Sequence, residues 1–253
     1  MKGDFGKTAS DYQKHRAGFP KSFFNRLQKD GLIDGSETVV DLGAGTGTVA
    51  RGLAQLGCQV TAVDPSSEML DAAAEMANED SVEIHCHLGT AEETGLKDQI
   101  ADVVTAGQCW HWFDSKRALK EVRRIVRPGG LLLIAHFDWL PIRGNVVWHT
   151  EKIILESNPD WGMGGQVGIY PEWFRHMLDG GFSDICSYSY QENVYYTHQA
   201  WRGRIRASAG VGGSLSAEEV LTFDEAHRQM LKDRFPEDPL SIPHQVFAIY
   251  GRK

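Results

Sequence analysis

The sequence has few cysteines and no long apolar run, and both absences narrow what it can encode. Its 253 residues include only four cysteines, with neither C-x-x-C spacing nor the density of a disulfide framework. The longest apolar run, Leu131 to Ala135, is far too short to cross a bilayer. The segment MKGDFGKTAS lacks the apolar centre of a signal peptide. We therefore expect a soluble cytoplasmic protein with no metal site.

Positive charge is also scarce. The chain has 26 Lys and Arg against 34 Asp and Glu, which gives a net charge of -8, and no basic run interrupts it. Such a chain repels polyanions such as DNA and RNA on average. We expect a small-molecule substrate and no nucleic-acid or membrane partner, while the lack of a heptad pattern leaves the oligomeric state open.

What the sequence does contain is a regular alternation of strand and helix patterns. Apolar strands such as ETVVDLG, CQVTAVD and GGLLLIAHF alternate with helix patterns such as SKRALKEVRRIVRPGG. Strands that are almost entirely apolar indicate a parallel sheet covered by helices, because the crossovers must lie over the sheet. The predicted fold class is α/β, a doubly wound and mostly parallel seven-stranded sheet with helices on both faces.

The pattern changes after residue 137. An irregular segment rich in Trp and Gly follows, and helical segments are expected at 198–209 and 216–234, bracketed by two further strands. Long insertions above a regular sheet usually shape a ligand pocket. We predict a single domain over 1–253, with a cofactor-binding core at 36–137 and a substrate cap with the closing strands at 138–253.

The strongest chemical signal is a glycine turn in VVDLGAGTGTVA. Gly43, Gly45 and Gly47 lie between a strand and a helix, where a ligand can approach the backbone and the helix N-terminus offers N–H groups. The spacing G-x-G-x-G departs from the G-x-G-x-x-G of dinucleotide-binding proteins. The turn therefore disfavours NAD, and the alternative is a tight connection that binds nothing.

Two aspartates bear on the identity of the ligand. Asp64 ends the strand CQVTAVD, where its carboxylate can accept both hydroxyl hydrogens of a ribose, although an N-cap of the next helix would explain it equally. Asp41, just before the glycines, would attract a sulfonium and repel a pyrophosphate. Because NAD and S-adenosylmethionine folds share the ribose-binding acid, it is Asp41 that favours S-adenosylmethionine over NAD.

Five motifs, in order along the chain, resemble one family: VVDLGAGTG, VTAVDPSSEML, GTAEET, ADVVTAGQCWHWFD and VRRIVRPGGLLLI. Together they look like a class I S-adenosylmethionine-dependent methyltransferase of the small-molecule type, similar to trans-aconitate methyltransferases. The resemblance covers residues 5–137 firmly and the remainder loosely. It implies S-adenosylmethionine as the cofactor and N-terminal lid helices over 1–30.

The same resemblance implies where the cofactor lies. Its methionine part would lie near the glycine turn, its ribose at Asp64, its adenine along GTAEET, and its reactive end near Gln108. The residues implied to contact the cofactor are Tyr12, Arg16, Gly43, Ala44, Gly45, Asp64, Pro65, Ser66, Met69, Thr90, Ala91, Glu92 and Gln108.

The segment AGQCWHWFD contains the candidate catalytic residue. His111 titrates in the range that suits a general base, and the alternative is a histidine that only donates a hydrogen bond. In an extended segment Trp110 and Trp112 would point one way and His111 the other. Asp114 is expected to cap the following helix. Trp110 and, in the cap, Trp139 are predicted substrate contacts.

The segment AWRGRIRASAG carries three arginines at alternate positions. On a helix Arg202 and Arg206 share a face, and Arg202 is predicted to hold an anionic substrate, the alternative being a solvated basic helix.

The predicted function is in-line methyl transfer to a carboxylate, hydroxyl or amine of a small molecule. One alternative is a catalytically silent protein that binds the cofactor. A less favoured alternative is an NAD-dependent oxidoreductase.

Overall fold

A seven-stranded sheet organises residues 18–253, the part of the chain that the computed structural model describes. The strand order is β3-β2-β1-β4-β5-β7-β6. Four neighbouring pairs, β1 with β2, β1 with β4, β2 with β3 and β4 with β5, are parallel. The predicted seven-stranded, mostly parallel sheet is thus confirmed. The strands are β1 (Thr38–Leu42), β2 (Gln59–Asp64), β3 (His85–Leu88), β4 (Ala101–Gly107), β5 (Val126–Trp139), β6 (Ser183–Tyr196) and β7 (Leu240–Arg252).

The last strand reverses direction. Gly129 donates a backbone hydrogen bond to Lys253 (3.1 Å) and Lys253 donates one to Gly130 (2.9 Å), whereas Leu140 bonds Pro243 (2.8 Å). Because residue numbers rise along β5 while those of the bonded partners in β7 fall, these two strands are antiparallel.

Eight α-helices connect the strands within the described residues, and a short 3₁₀ helix covers Trp110–Trp112. The predicted helical segments at 198–209 and 216–234 are confirmed. None of the helices described is long and apolar enough to span a membrane. The helices are α1 (Lys21–Lys29), α2 (Thr48–Gln55), α3 (Ser67–Glu79), α4 (Ser115–Ile125), α5 (Val146–Ser157), α6 (Glu172–Asp179), α7 (His198–Arg206) and α8 (Ala217–Arg234).

Local capping residues fix several helix starts. The side chain of Asp114 accepts from the backbone N–H groups of Lys116 and Arg117, which confirms its predicted role as the N-cap of α4. Ser216 and Glu219 form a reciprocal capping box at α8. These helices begin where the sequence supplies an oxygen for otherwise unsatisfied N–H groups.

Helix α5 corrects the expectation of an irregular segment after residue 137. Asn145 caps it by accepting from the backbone N–H of Trp148 at 2.8 Å. Val146, Val147 and Ile154 are buried on one side of this helix. The nearby Trp and Gly residues obscured this periodicity in the sequence.

The described chain forms two compact units with separate hydrophobic cores. The core unit comprises residues 18–137, 170–190 and 246–253, and the insertion unit comprises 138–169 and 191–245. Strands and helices of the core unit share one buried cluster that includes Val40, Leu132 and Trp173. In the insertion unit, helices α5, α7 and α8 contribute to a second cluster. The candidate site residues can therefore be located by unit.

Candidate functional site

The glycine turn follows β1 and adopts a backbone that other residues rarely adopt. Gly43, Gly45 and Gly47 have φ angles of 61°, 55° and 75°, all in the left-handed region that favours glycine. The N–H of Ala44 between them donates to Val63 of β2 at 3.0 Å. The turn is thus held against the end of β2 in a backbone conformation that glycine adopts readily and other residues do not.

One side of this turn is packed and another is open. A Cβ placed on Gly43 would lie 3.0 Å from Cys109 and from Phe113, so the turn touches the segment after β4. Within residues 18–253, no atom lies within 4 Å of a Cβ placed on Gly45. The backbone at Gly45 therefore faces space that a ligand can enter, as the sequence predicts for a backbone-lined cradle.

Asp64 lies beside this open backbone at the end of β2. Its Oδ2 accepts from the N–H of Gly45 at 2.8 Å, and its Oδ1 accepts from the N–H of Ser66 at 3.0 Å. Burial raises the pKa of this carboxyl, which is 8% exposed, and the two backbone bonds oppose the rise. Each carboxylate oxygen keeps acceptor capacity for a ligand hydroxyl.

The N-cap position, the alternative role considered for Asp64, is occupied by its neighbour Ser66. Ser66 is the N-cap of α3, and its Oγ accepts from the N–H of Met69 at 3.2 Å. Asp64 instead stabilises the glycine turn and the start of α3 by accepting hydrogen bonds from Gly45 and Ser66.

Asp41 is committed to the protein's own donors. It is 1% exposed; the hydroxyl of Thr105 donates to Oδ1 at 2.6 Å, and the N–H of Ala50 donates to Oδ2 at 3.2 Å. Burial raises the pKa of Asp41 to about 7, the two hydrogen bonds oppose this, and the charge of Asp64 adds to the rise. Asp41 thus ties β1 to β4 and α2, a role different from the expected attraction of a sulfonium.

The loop after β3 reaches the start of α4. Glu92 Oε1 accepts from the N–H of Asp114 at 2.9 Å, and Ala91 is buried beside it. The structure therefore brings the GTAEET segment to the same edge of the sheet as the glycine turn, because the parallel strands β1 to β4 end on that edge.

Gln108 adopts a left-handed backbone just after β4. Its φ is 60°, which is uncommon for a residue with a side chain and is concentrated at functional sites. Its backbone N–H donates to Ala135 at 2.9 Å and its side-chain amide donates to Phe137 at 2.8 Å. Both bonds anchor Gln108 to the end of β5.

The aromatic segment differs from the predicted extended chain. Trp110–Trp112 form a 3₁₀ helix, so the expected alternation of side-chain directions is wrong. Trp110 is 1% exposed and donates from its indole N–H to Nδ1 of His176 at 3.2 Å, whereas Trp112 is 38% exposed and His111 is exposed. The burial of Trp110 does not favour its predicted contact with a substrate.

A histidine that the sequence gave little reason to choose lies next to His111. Nε2 of His136 is 3.3 Å from Nδ1 of His111, and Nδ1 of His136 is 3.2 Å from the hydroxyl of Tyr170. The one available sequence signal is position, since His136 follows the apolar run of β5 toward the ligand-binding edge of the sheet.

The insertion unit changes the interpretation of the arginines. Arg202 donates from Nε to Asp224 at 3.0 Å and makes a second bond to the same carboxylate, and Arg206 donates to it at 2.9 Å. The predicted shared face is confirmed. Arg202 is paired with a protein carboxylate, and its contact with an anionic substrate stays a prediction.

Arg204 and Trp139 lie together elsewhere in the insertion unit. The guanidinium of Arg204 is 4.7 Å from the ring centroid of Trp139, and the indole N–H of Trp139 donates to Glu151 at 2.9 Å. Trp139 as a substrate contact stays a prediction.

Two predicted cofactor contacts, Tyr12 and Arg16, lie outside the described residues. Within 18–253, no three His, Cys, Asp or Glu side chains converge on a point that could hold a metal ion.

Comparison with known proteins identifies relatives of this chain. The family described as "Methyltransferase domain" matches residues 40–134. An uncharacterized methyltransferase of Mycobacterium tuberculosis is 41% identical over 151 residues, which cover 60% of this chain and 54% of that protein. The chain thus spans about half the length of that relative.

Two further proteins extend the comparison. An uncharacterized methyltransferase of Schizosaccharomyces pombe is 33% identical over 184 residues, covering 72% of this chain and 68% of that protein. The crystal structure of a type II methyltransferase from Anaeromyxobacter dehalogenans, so described provisionally, superposes with a TM-score of 0.65 at 22% identity and covers 94% and 97% of the two chains. The last likeness concerns the fold alone.

Proposed function

The chain belongs to the methyltransferase family, and on that premise we propose that it transfers a methyl group from S-adenosylmethionine to a small-molecule acceptor. The observation that carries the proposal is the open backbone of Gly45 with the Asp64 carboxylate bonded to its N–H. This pairing offers a cradle for the methionine part and an acceptor for ribose hydroxyls side by side.

The residues present suit this cofactor. Asp64 would hold the ribose, and the backbone from Gly43 to Gly45 would lie against the methionine part. Pro65, Ser66 and Met69 follow Asp64 directly, and Thr90 to Glu92 end on the same edge of the sheet. When bound, S-adenosylmethionine supplies a sulfonium methyl group that is already reactive, so the protein has mainly to bind, orient and exclude water.

His111 is the proposed general base for an acceptor that must lose a proton. The acceptor's proton would pass to His111 as the bond from acceptor to carbon forms and the carbon–sulfur bond breaks, leaving its electron pair on sulfur. Gln108, fixed to the end of β5, would lie near the reacting atoms. A carboxylate acceptor, as in the trans-aconitate type that the motifs resemble, needs no base.

The net charge of -8 and the absence of a basic run support a small molecule over a nucleic acid as the partner. The structure describes all four cysteines, and no disulfide joins any of them. That chemistry supports a cytoplasmic location in our proposal.

Calorimetry with S-adenosylhomocysteine and with NAD tests the cofactor. We expect the wild-type protein to bind S-adenosylhomocysteine and not NAD. Asp64→Asn should weaken S-adenosylhomocysteine binding by about tenfold or more, about 1.4 kcal/mol, because the amide cannot accept both hydroxyl hydrogens. Asp71→Asn, at an exposed position on α3, is the matched control and should bind as the wild type does. Binding of NAD alone would overturn the proposal.

A screen of small acids, phenols and amines with a radiolabelled methyl donor tests turnover. Labelled product from one class identifies the acceptor. Cofactor binding without any labelled product across the screen would favour the alternative of a catalytically silent binding protein.

A further inference from the structure

Three side chains of the core unit form a continuous chain of hydrogen bonds. Nδ1 of His111 lies 3.3 Å from Nε2 of His136, and Nδ1 of His136 lies 3.2 Å from the hydroxyl of Tyr170. His111 is exposed, whereas His136 is 5% exposed. The chain therefore runs from an exposed histidine through a buried one to a half-buried tyrosine.

Aromatic packing holds the side chains of His136 and Tyr170 in place. The ring of Tyr170 stacks on Trp173 with centroids 4.2 Å apart and planes 7° apart. His136 is in contact with both rings, at 4.7 Å from Tyr170 and 5.7 Å from Trp173. Trp173 is itself buried and touches Phe247. The orientation of the His136 ring is thus fixed by its surroundings.

The hydrogen bonds limit where the protons can lie. A neutral imidazole donates from one ring nitrogen and accepts at the other. If His136 donates from Nδ1 to Tyr170, its Nε2 must accept from Nδ1–H of His111. If Tyr170 donates to Nδ1 of His136, then His136 donates from Nε2 to His111. The tautomer of His111 is therefore coupled to His136.

Only one of these two arrangements accommodates a protonated His111. An imidazolium carries hydrogens on both nitrogens, so its Nδ1–H must donate to an unprotonated Nε2 of His136. In the opposite arrangement, two hydrogens would face each other across the 3.3 Å gap.

We propose that His136 and Tyr170 are positioning residues that hold His111 with its hydrogen on Nδ1, so that Nε2 is the nitrogen that receives the acceptor's proton. In this arrangement His111 gains a proton at Nε2 without any ring turning or any change in the two hydrogen bonds. The choice of this tautomer rests on the proposed function, because only a His111 that gains a proton requires the hydrogen on Nδ1, whereas its measurement does not depend on turnover.

Nitrogen NMR of ¹⁵N-histidine-labelled protein, without cofactor, tests the tautomer directly. The His111 signals are assigned by their loss in His111→Gln. We expect the Nδ1–H tautomer in the wild type and a shift toward Nε2–H in His136→Phe, which removes the acceptor but keeps an aromatic ring in the cluster. His136→Gln should restore the wild-type pattern, because its amide oxygen can accept from His111. An Nε2–H tautomer in the wild type would overturn the proposal.

Tyr170→Phe is a milder variant in case His136→Phe does not fold. It keeps the stacked ring and removes only the hydroxyl, so we expect a partial shift of the His111 tautomer toward Nε2–H. A spectrum identical to that of the wild type would contradict the role assigned to Tyr170.

The kinetic experiment uses an acceptor that loses a proton. We expect His136→Phe to lower kcat about tenfold with unchanged KM and unchanged affinity for S-adenosylhomocysteine, and His136→Gln to recover most of it. His85→Gln, on the edge strand β3, is the histidine control and should match the wild type. Equal kcat values for His136→Phe and the wild type would overturn the positioning role. If no acceptor is turned over, the proposed function fails while the NMR result still decides the tautomer.

Discussion

At the scale of single residues, Asp41 shows how burial changes the pKa of a carboxyl group. Its carboxyl lies within β1, bonded to Thr105 and to the backbone of Ala50. Because desolvation penalises the charged form more than the two bonds favour it, burial raises the pKa of Asp41 to about 7. The folded protein therefore holds a proton there that an unfolded chain releases at a lower pH.

This proton makes stability depend on pH. The ordinary value is 3.8, so between pH of about 4 and 7 the folded state binds more protons than the unfolded state. The free energy of unfolding should therefore fall as pH rises through this window, by up to about 1.4 kcal/mol per pH unit.

Asp41→Asn should flatten that slope, since its amide can donate to Thr105 and accept from Ala50 without titrating. Urea unfolding at several pH values across this range measures the slope of the unfolding free energy against pH. Asp71→Asn is the exposed control and should keep the wild-type slope. The same slope in Asp41→Asn and the wild type would show that Asp41 does not titrate there.

His111 carries the second prediction at this scale. With a phenol or amine acceptor, His111→Ala should lower kcat by about tenfold or more, about 1.4 kcal/mol of barrier, because the proton loses its acceptor. Affinity for S-adenosylhomocysteine should not change. Steady-state kinetics and calorimetry measure the two quantities, with His85→Ala as the control; an unaffected kcat would leave His111 a packing residue.

Residues differ in how far their roles could be predicted from sequence. The cap at Asp114 was predictable because its partners, Lys116 and Arg117, are two and three positions away. His136 was not, because its partners lie 25 and 34 positions away in sequence. Only the folded chain brings those three side chains together.

At the scale of elements, the glycine turn links β1 to α2 and supplies two unlike positions. Gly43 faces the side chains of Cys109 and Phe113, whereas Gly45 faces open space. Both have positive φ, so a side chain costs about 1–2 kcal/mol of backbone strain at either one. The difference between them lies in what the added Cβ meets.

Substitution by alanine should separate stability from binding at these two positions. Gly43→Ala should be the less stable variant in urea unfolding, because its Cβ adds contacts at 3.0 Å to the backbone strain. Gly45→Ala should fold with only the strain cost but bind S-adenosylhomocysteine about tenfold more weakly or worse, since its Cβ enters the cradle. Full affinity in Gly45→Ala would mean that the cofactor lies elsewhere.

One element was mispredicted and one side-chain pairing was not predicted, both for physical reasons. The segment from Trp110 to Trp112 forms a 3₁₀ helix, which is stabilised by the hydrogen bond from the N–H of Trp112 to Cys109 and by burial of Trp110. Tertiary burial here overrides the extended conformation that the local sequence pattern predicts. Arg202 donates hydrogen bonds to the carboxylate of Asp224, 22 positions away on α8. The sequence of α7 alone does not indicate that partner.

At the scale of the whole molecule, the two units have separate cores, and the proposed cofactor contacts within the described residues lie in only one of them. Gly43, Asp64, Glu92 and Gln108 all belong to the core unit, whereas Trp139 and Arg202 belong to the insertion unit. A ligand of the core unit should therefore stabilise that unit first.

Ligand-linked stability is the prediction at this scale. S-adenosylhomocysteine at about 100 times its Kd should raise the free energy of unfolding by about 2.7 kcal/mol, because it binds only the folded state. Hydrogen exchange should show the added protection in β1, α2 and β2. NAD at the same concentration serves as the control, and protection that appears only in the insertion unit would contradict the proposed site.

The sequence alone determined most of the elements and the fold class, because strand and helix periodicities, turn glycines and capping side chains act over a few residues. It also predicted a ligand site after β1 and β2, since the glycines and the aspartate that indicate it lie within short stretches of consecutive residues. Tertiary structure alone decided which side chains meet across the chain: Asp41 with Thr105, Arg202 with Asp224, and His111 with His136 and Tyr170. Those contacts depend on how strands and helices pack, and at Asp41 burial then raises the pKa; no single stretch of sequence contains that packing.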